Sequence, residues 1–341
     1  MKGLSCKSLP NEKPESRFTD IDSAKGLAII LVVLGHVVAR KYPEGNAWFI
    51  YVKNTIYMFH MAFFMFLSGW IFYCIKPALT DLSFIFKRAY RLLIPFFLFA
   101  FIVIFGKSIA SDFLFVDNSV YSIQDAITSI IWNTSESHAT FIWYIYVLFF
   151  FNIISMSLVH SSKIHYILIF SFVLTLINPP QIMYLDYMFR YYFFFILGCF
   201  LFYRKDLYYG IIDKYSSLFI IIFFLLLIGI NVAEKCNIAI PAKHLYFTAG
   251  LSSVPAIHSF IRMDFPKLKF LRNVGRYCLT IYLLNVIMIG MTKGILLHFI
   301  SWNYSNFVIF LPVLFCAGIF LPIILWNRIL SKIPIIKNIT I

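Results

Sequence analysis

The chain has 341 residues, 61% hydrophobic and only 13% charged, where a soluble domain is about half apolar and about a quarter charged. That composition excludes an ordinary soluble enzyme, a disordered tail and a fibrous repeat, and the unbroken apolar runs exclude an outer-membrane barrel, whose strands alternate polar and apolar residues. What remains is an all-α polytopic membrane protein, in which the net charge of +14 belongs to cytoplasmic loops rather than to a nucleic-acid surface.

Residues 1–20 form a polar tail with Lys2, Lys7, Lys13 and Arg17, and no cleavable signal peptide is read there. Apolar runs then predict about ten spans, at 24–40, 53–74, 92–110, 141–159, 164–178, 189–203, 216–233, 242–261, 276–297 and 305–328. The membrane domain covers 21–330, and 331–341 is a short tail. With the N-terminus in the cytoplasm, 21 of the 29 Lys and Arg fall on the inner side. The longest outer loop, 111–140, has four acids and neither Lys nor Arg. The bias predicts an N-in, C-in topology. The six cysteines are scattered without CxxC spacing, so neither a disulfide framework nor a metal site is expected.

An ionisable residue inside a span is a functional candidate because burying it in hydrocarbon is costly. The predicted spans hold no Asp or Glu, which leaves histidine as the acid–base group. Two histidines lie deepest, His36 and His60. Lys25 precedes His36 by eleven residues; eleven helical steps come to three turns and roughly 20°, so the two share a face about 16 Å apart. His60, thirteen residues before Tyr73 on the antiparallel second span, lies about 20 Å above the cytoplasmic edge, near the depth of His36. Either imidazole has a plain alternative as a hydrogen-bonded bundle residue. Arg88 and Arg91, three residues apart before Leu92, point the same way on a helix. Such a pair grips phosphates, or simply anchors the chain to lipid headgroups.

These segments resemble the integral-membrane acyltransferase 3 family along nearly the whole chain. The run from Asp22 through Lys25 to Leu34-Gly35-His36 is similar to the family's first helix, with its basic-x10-His motif. Met58 to Trp70 is similar to the second helix, including Ser68-Gly69, and Arg88-x-x-Arg91 followed by Leu-Leu-Ile-Pro matches the RxxR motif. Trp143-Tyr144 and Thr280 to Leu284 are weaker signatures. Two features depart from the family. Asn285 stands where related chains often carry His, and the hydrolase-like extracytoplasmic domain of some members is not expected.

The resemblance implies roles for the matching residues. His36 would be the catalytic base, and Lys25, Arg88 and Arg91 would bind the acyl-CoA donor from the cytoplasm. His60, Ser68, Tyr282 and Asn285 would be polar support. The implied activity is O-acyl transfer, most simply O-acetyl transfer, from acetyl-CoA as co-substrate to a surface glycan or lipid-linked sugar. No cofactor or metal would be held permanently. The setting would be a bacterial plasma membrane, with membrane lipids as further partners and no nucleic acid. The competing reading is a non-enzymatic transporter of glycan or lipid-linked sugar, which is expected to show paired inverted repeats and interrupted helices; neither is visible in the sequence.

Overall fold

A computed structural model describes residues 19–38, 46–75, 77, 81–111, 113, 120, 122–158, 164–236, 238, 240–263 and 268–333. Most of the polar tail, most of the C-terminal tail, and Arg40 and Lys41 therefore lie outside the described residues. Among the described residues the secondary structure is helical throughout, without strands. In chain order the helices are α1 (Thr19–His36), α2 (Ala47–Ile75), α3 (Leu82–Ala110), α4 (Ile123–Thr128), α5 (Trp143–Leu158), α6 (Ile164–Leu176), α7 (Leu185–Tyr203), α8 (Lys205–Lys214), α9 (Ser216–Lys235), α10 (Ala242–Arg262), α11 (Leu268–Arg276), α12 (Cys278–Leu297) and α13 (Phe307–Arg328). A 3-10 turn, Thr140–Ile142, leads into α5.

A helix satisfies its own backbone groups, which hydrocarbon cannot do. Seven of these helices, α2, α3, α5 with its leading turn, α7, α9, α12 and α13 with the turn after it, are long and apolar enough to cross a membrane. The remaining three predicted spans fall on α1, α6 and α10. α1 begins with Asp20, Asp22 and Lys25. α6 has only 13 residues, and α10 is lined with Ser252, Ser253, His258 and Ser259. The outward face is apolar, as lipid requires: on α9, Leu218, Ile221, Ile222, Phe224, Leu225 and Ile228 are exposed while Phe223, Leu227 and Ile230 turn inward.

Close approach at glycines fixes the central crossings, since a side chain there would hold the helices apart. A Cβ on Gly69 of α2 would collide with the Phe195 carbonyl, and one on Gly198 of α7 with the Phe66 carbonyl. α1 and α11 meet the same way, Gly26 against the Leu271 backbone and Gly275 against the Asp22 backbone.

The structure corrects several expectations. The first helix stops at His36 rather than running to 40, and Val37 and Val38 form a bend. Carboxylates are not confined to tails and loops: Asp20 and Asp22 lie in the first turn of α1, Asp186 in that of α7, and Glu234 near the end of α9. The second helix starts at Ala47 rather than at Lys53, so Lys53 lies inside α2 and not at its outer edge. Residues 268–276 form a helix packed on α1 rather than a loop. Of the described cysteines, Cys199, Cys236, Cys278 and Cys316 are free, Cys236 and Cys316 being exposed, and Cys74 is disulfide-bonded.

Candidate functional site

The site begins where α1 stops. The last carbonyls of a helix lack intrahelical donors, and here side chains of α2 supply some. The Tyr57 hydroxyl donates to the Gly35 carbonyl at 3.0 Å, and Lys53 Nζ donates to the Val38 carbonyl at 2.7 Å. Gly35 has to be glycine, because a Cβ would enter the Tyr57 ring. The half-buried His36 ring meets the edges of Tyr57 and Phe141, each with centroids 6.4 Å away. No hydrogen bond to the His36 ring is found among the described residues.

Tyr57 also packs on His60, 5.1 Å between centroids, so one ring separates the two histidines. His60 is buried, with Nδ1 at 2.7 Å from the Ile56 carbonyl. A carbonyl only accepts, so Nδ1 carries the proton and Nε2 keeps its lone pair. His60 lies fifteen residues before the end of the 29-residue α2, about 22 Å along its axis. Although His36 ends its own helix, it therefore stands beside the middle of the longest neighbour.

A polar chain descends from this point. Phe141, at the His36 ring, offers its carbonyl to the Tyr282 hydroxyl at 2.7 Å. The Tyr282 oxygen accepts from the Tyr144 backbone N–H at 3.2 Å, and the Tyr144 hydroxyl meets Ser68 Oγ at 2.5 Å. Ser68 also donates to the Phe64 carbonyl. Two of the polar-support candidates, Ser68 and Tyr282, thus belong to one network. Asn285 does not join it: its amide donates to the Ile281 and Tyr282 carbonyls of its own helix, at 2.8 Å each, and its Oδ1 is buried without a partner.

The chain leads toward the cationic residues. Cys278 begins α12, the helix that carries Tyr282, and α12 packs against both α1, which carries Lys25, and α3, which carries Arg88 and Arg91. Arg88 and Arg91 are half-buried neighbours on α3, with the Arg88 guanidinium 4.9 Å from the Phe84 ring centroid. Lys25 is paired with Asp22 at 3.9 Å. Lys25 and the arginine pair thus lie on two helices that both pack against α12, while His36 and His60 stand at the Phe141 end of the polar chain.

Two groups escaped the sequence reading. Arg272 of α11 was counted only as a basic loop residue, yet its Nε is buried without a hydrogen-bond partner. Asp20, Asp213, His258 and Arg262 form a cluster at the start of α1. Arg262 grips Asp213 bidentately at 2.7 and 2.6 Å and stands 3.4 Å from Asp20. The fully buried His258 lies between Asp20, at 3.5 Å, and the Tyr208 hydroxyl, at 3.1 Å. Arg262 is 242 residues from Asp20 in sequence, so no local pattern announces the cluster.

A family model described as an acyltransferase domain (Acyl_transf_3) matches residues 18–327. A segment is 36% identical over 85 residues to the nodulation protein NolL of Mesorhizobium japonicum, covering 24% of this chain and 22% of that protein. The matched segment thus spans about a fifth of that relative's length. No solved structure matches.

Proposed function

Because the chain belongs to the acyltransferase 3 family of multi-pass membrane proteins, we propose that it is an acyl-CoA-dependent O-acyltransferase, most simply an O-acetyltransferase, of a bacterial plasma membrane. It takes the acyl group from the cytoplasm and delivers it to a hydroxyl of an extracytoplasmic or lipid-linked glycan. In this reading all ten helical segments cross the bilayer, N-in and C-in. Helices α1, α6 and α10 are carried by their neighbours, and the tails 1–20 and 331–341 are cytoplasmic.

One observation supports the reading above all: the polar chain Ser68–Tyr144–Tyr282–Phe141 connects the Arg88 end of the bundle to His36. Arg88, Arg91 and Lys25 receive the phosphates of coenzyme A, for which a cationic vestibule is suited. The pantetheine arm follows the chain upward and brings the thioester to the imidazoles. His36 removes the proton of the acceptor hydroxyl. The oxygen forms its bond to the acyl carbon, the carbon–sulfur bond breaks, and the proton passes from His36 to the departing thiolate. To donate to the carbonyl oxygen as charge develops there, the Tyr282 hydroxyl or Ser68 would first release its present acceptor, the Phe141 or the Phe64 carbonyl.

Purified protein with radiolabelled acetyl-CoA tests this. Wild-type protein is expected to transfer or hydrolyse the acetyl group, and the His36→Ala variant to lose about 10²-fold or more of that rate while unfolding at the same temperature. Near wild-type turnover in the variant removes His36 from the mechanism. Donor binding without turnover, across a panel of acceptor glycans, overturns the enzyme reading itself.

A further inference from the structure

At the end of the bundle opposite the arginines, aromatic and cationic side chains surround the approach to His36. Trp143 is stacked between Tyr187 and Tyr191, with centroids 4.3 and 5.1 Å away and planes within 26° and 23°. Trp143 follows Phe141 by two residues, and the Phe141 ring, like that of Tyr57, meets the His36 ring. Tyr57, Phe141, Tyr187 and Tyr246 are all half-buried, as is His36. They keep part of their surface open, while Trp143 and Tyr191 are sealed behind them.

The rim carries positive charge. Arg190 is exposed, and its guanidinium bridges two helices by lying 6.0 Å from the Tyr187 ring and 5.9 Å from the Tyr246 ring. It forms no ion pair among the described residues. Lys243, three residues before Tyr246, donates to the Ile177 carbonyl and to Asn178 Oδ1, and Lys53 stands on α2. One turn before Arg190, Asp186 keeps its Oδ1 buried with no hydrogen-bond partner. Open tyrosine rings suit the C–H face of a pyranose, because each offers an apolar surface and a polar edge. An exposed planar guanidinium without an ion pair suits an anionic substituent.

We propose that the surface formed by Tyr187 of α7, Tyr246 of α10 and the Arg190 that bridges them is the acceptor site, and that it selects a pyranose bearing an anionic group. Tyr187 and Tyr246 offer the aromatic surface, Arg190 is the anion-reading residue, and His36 is the group that acts on the bound sugar. The inference rests on the acyl-transfer reading for what happens to the bound sugar, but not for the binding itself.

The test is direct titration of the full-length protein in detergent with trigalacturonate, glucose 1-phosphate and maltotriose. At least one of the two anionic sugars is expected to bind about tenfold or more tightly than neutral maltotriose. Arg190→Gln is expected to erase that margin, Arg190→Lys to retain part of it, and Tyr246→Ala to weaken all three sugars. A preference for trigalacturonate identifies a carboxylate and one for glucose 1-phosphate a phosphate. The proposal is overturned if neither anion binds, if maltotriose binds as tightly, or if Arg190→Gln leaves the anionic affinity unchanged. Acetyl-CoA titrated against the same wild-type sample reports the donor side separately. Its failure alone removes the acyltransferase reading and leaves the sugar result standing.

Discussion

At the scale of single residues, His36 owes its place to contacts that are not themselves chemical. Its backbone is tied by the Tyr57 hydroxyl on Gly35 and by Lys53 on Val38, and its ring is set by aromatic edges. Tyr57→Phe removes one tie and keeps the ring, so turnover is expected to fall several-fold with little change in acetyl-CoA affinity. Steady-state kinetics with separate donor titration checks this split. Gly35→Ala forces a methyl into the Tyr57 ring and is expected to cost about 1–3 kcal/mol of stability as well as activity, read by thermal unfolding alongside turnover. At the other end, the Arg88→Ala, Arg91→Ala double variant is expected to weaken acetyl-CoA binding by about tenfold or more, since charge-assisted contacts to phosphate are lost. Dephospho-CoA thioesters, titrated in parallel, should lose less if one arginine reads the 3′-phosphate. Unchanged affinity returns the pair to lipid anchoring.

At the scale of elements, the reciprocal glycines of α2 and α7 bring the two helices close behind the site. Gly198→Leu is expected to block that approach and prevent the protein from reaching a folded, monodisperse state in detergent. Gly229 on α9 has open space around it, so Gly229→Leu serves as the control and should behave as wild type in size-exclusion profile and melting temperature. The helix α8 is docked by charge instead. The hydrogen bond and charge of Arg262 hold the Asp213 carboxyl below the ordinary carboxylate range. A carboxyl depressed in the folded state binds fewer protons there than in the unfolded chain. Its contribution is therefore complete above the unfolded pKa of about 3.9 and is lost as pH falls through the folded value. Melting temperature should thus show an Asp213-dependent decline on acidification below about pH 4, and Arg262→Met should remove that dependence. An equal decline in both proteins assigns the acid sensitivity elsewhere.

At the scale of the whole molecule, the decisive property is which end faces the cytoplasm. Lys25, Arg88 and Arg91 can meet acyl-CoA only if the start of α1 is inside. A cysteine at the exposed Ser135, in a background lacking the exposed Cys236 and Cys316, is expected to react with an impermeant maleimide in intact spheroplasts. One at Asp206, in the first turn of α8, is expected to react only after lysis. The reverse pattern inverts the molecule and removes the donor site with it.

The helical class and the membrane setting were determined by sequence alone, because twenty-residue apolar runs leave the backbone no other way to satisfy its polar groups. The basic-x10-His spacing, read as one helical face, placed Lys25 and His36 on α1, and the family followed from that motif with Arg88-x-x-Arg91. Tertiary structure decided the rest. That α1 ends at His36 depends on Tyr57 and Lys53 of another helix capping its carbonyls. That Ser68 and Tyr282 join one chain while Asn285 turns back on its own helix depends on where α5 crosses between them. Lys53, Arg272, His258 and the Arg190 rim looked like ordinary basic or polar residues in the sequence, since periodicity reports which face of a helix is apolar and not which neighbour a polar side chain will meet. Those meetings are set by the glycine crossings, where the absence of a few side chains lets distant segments come into contact.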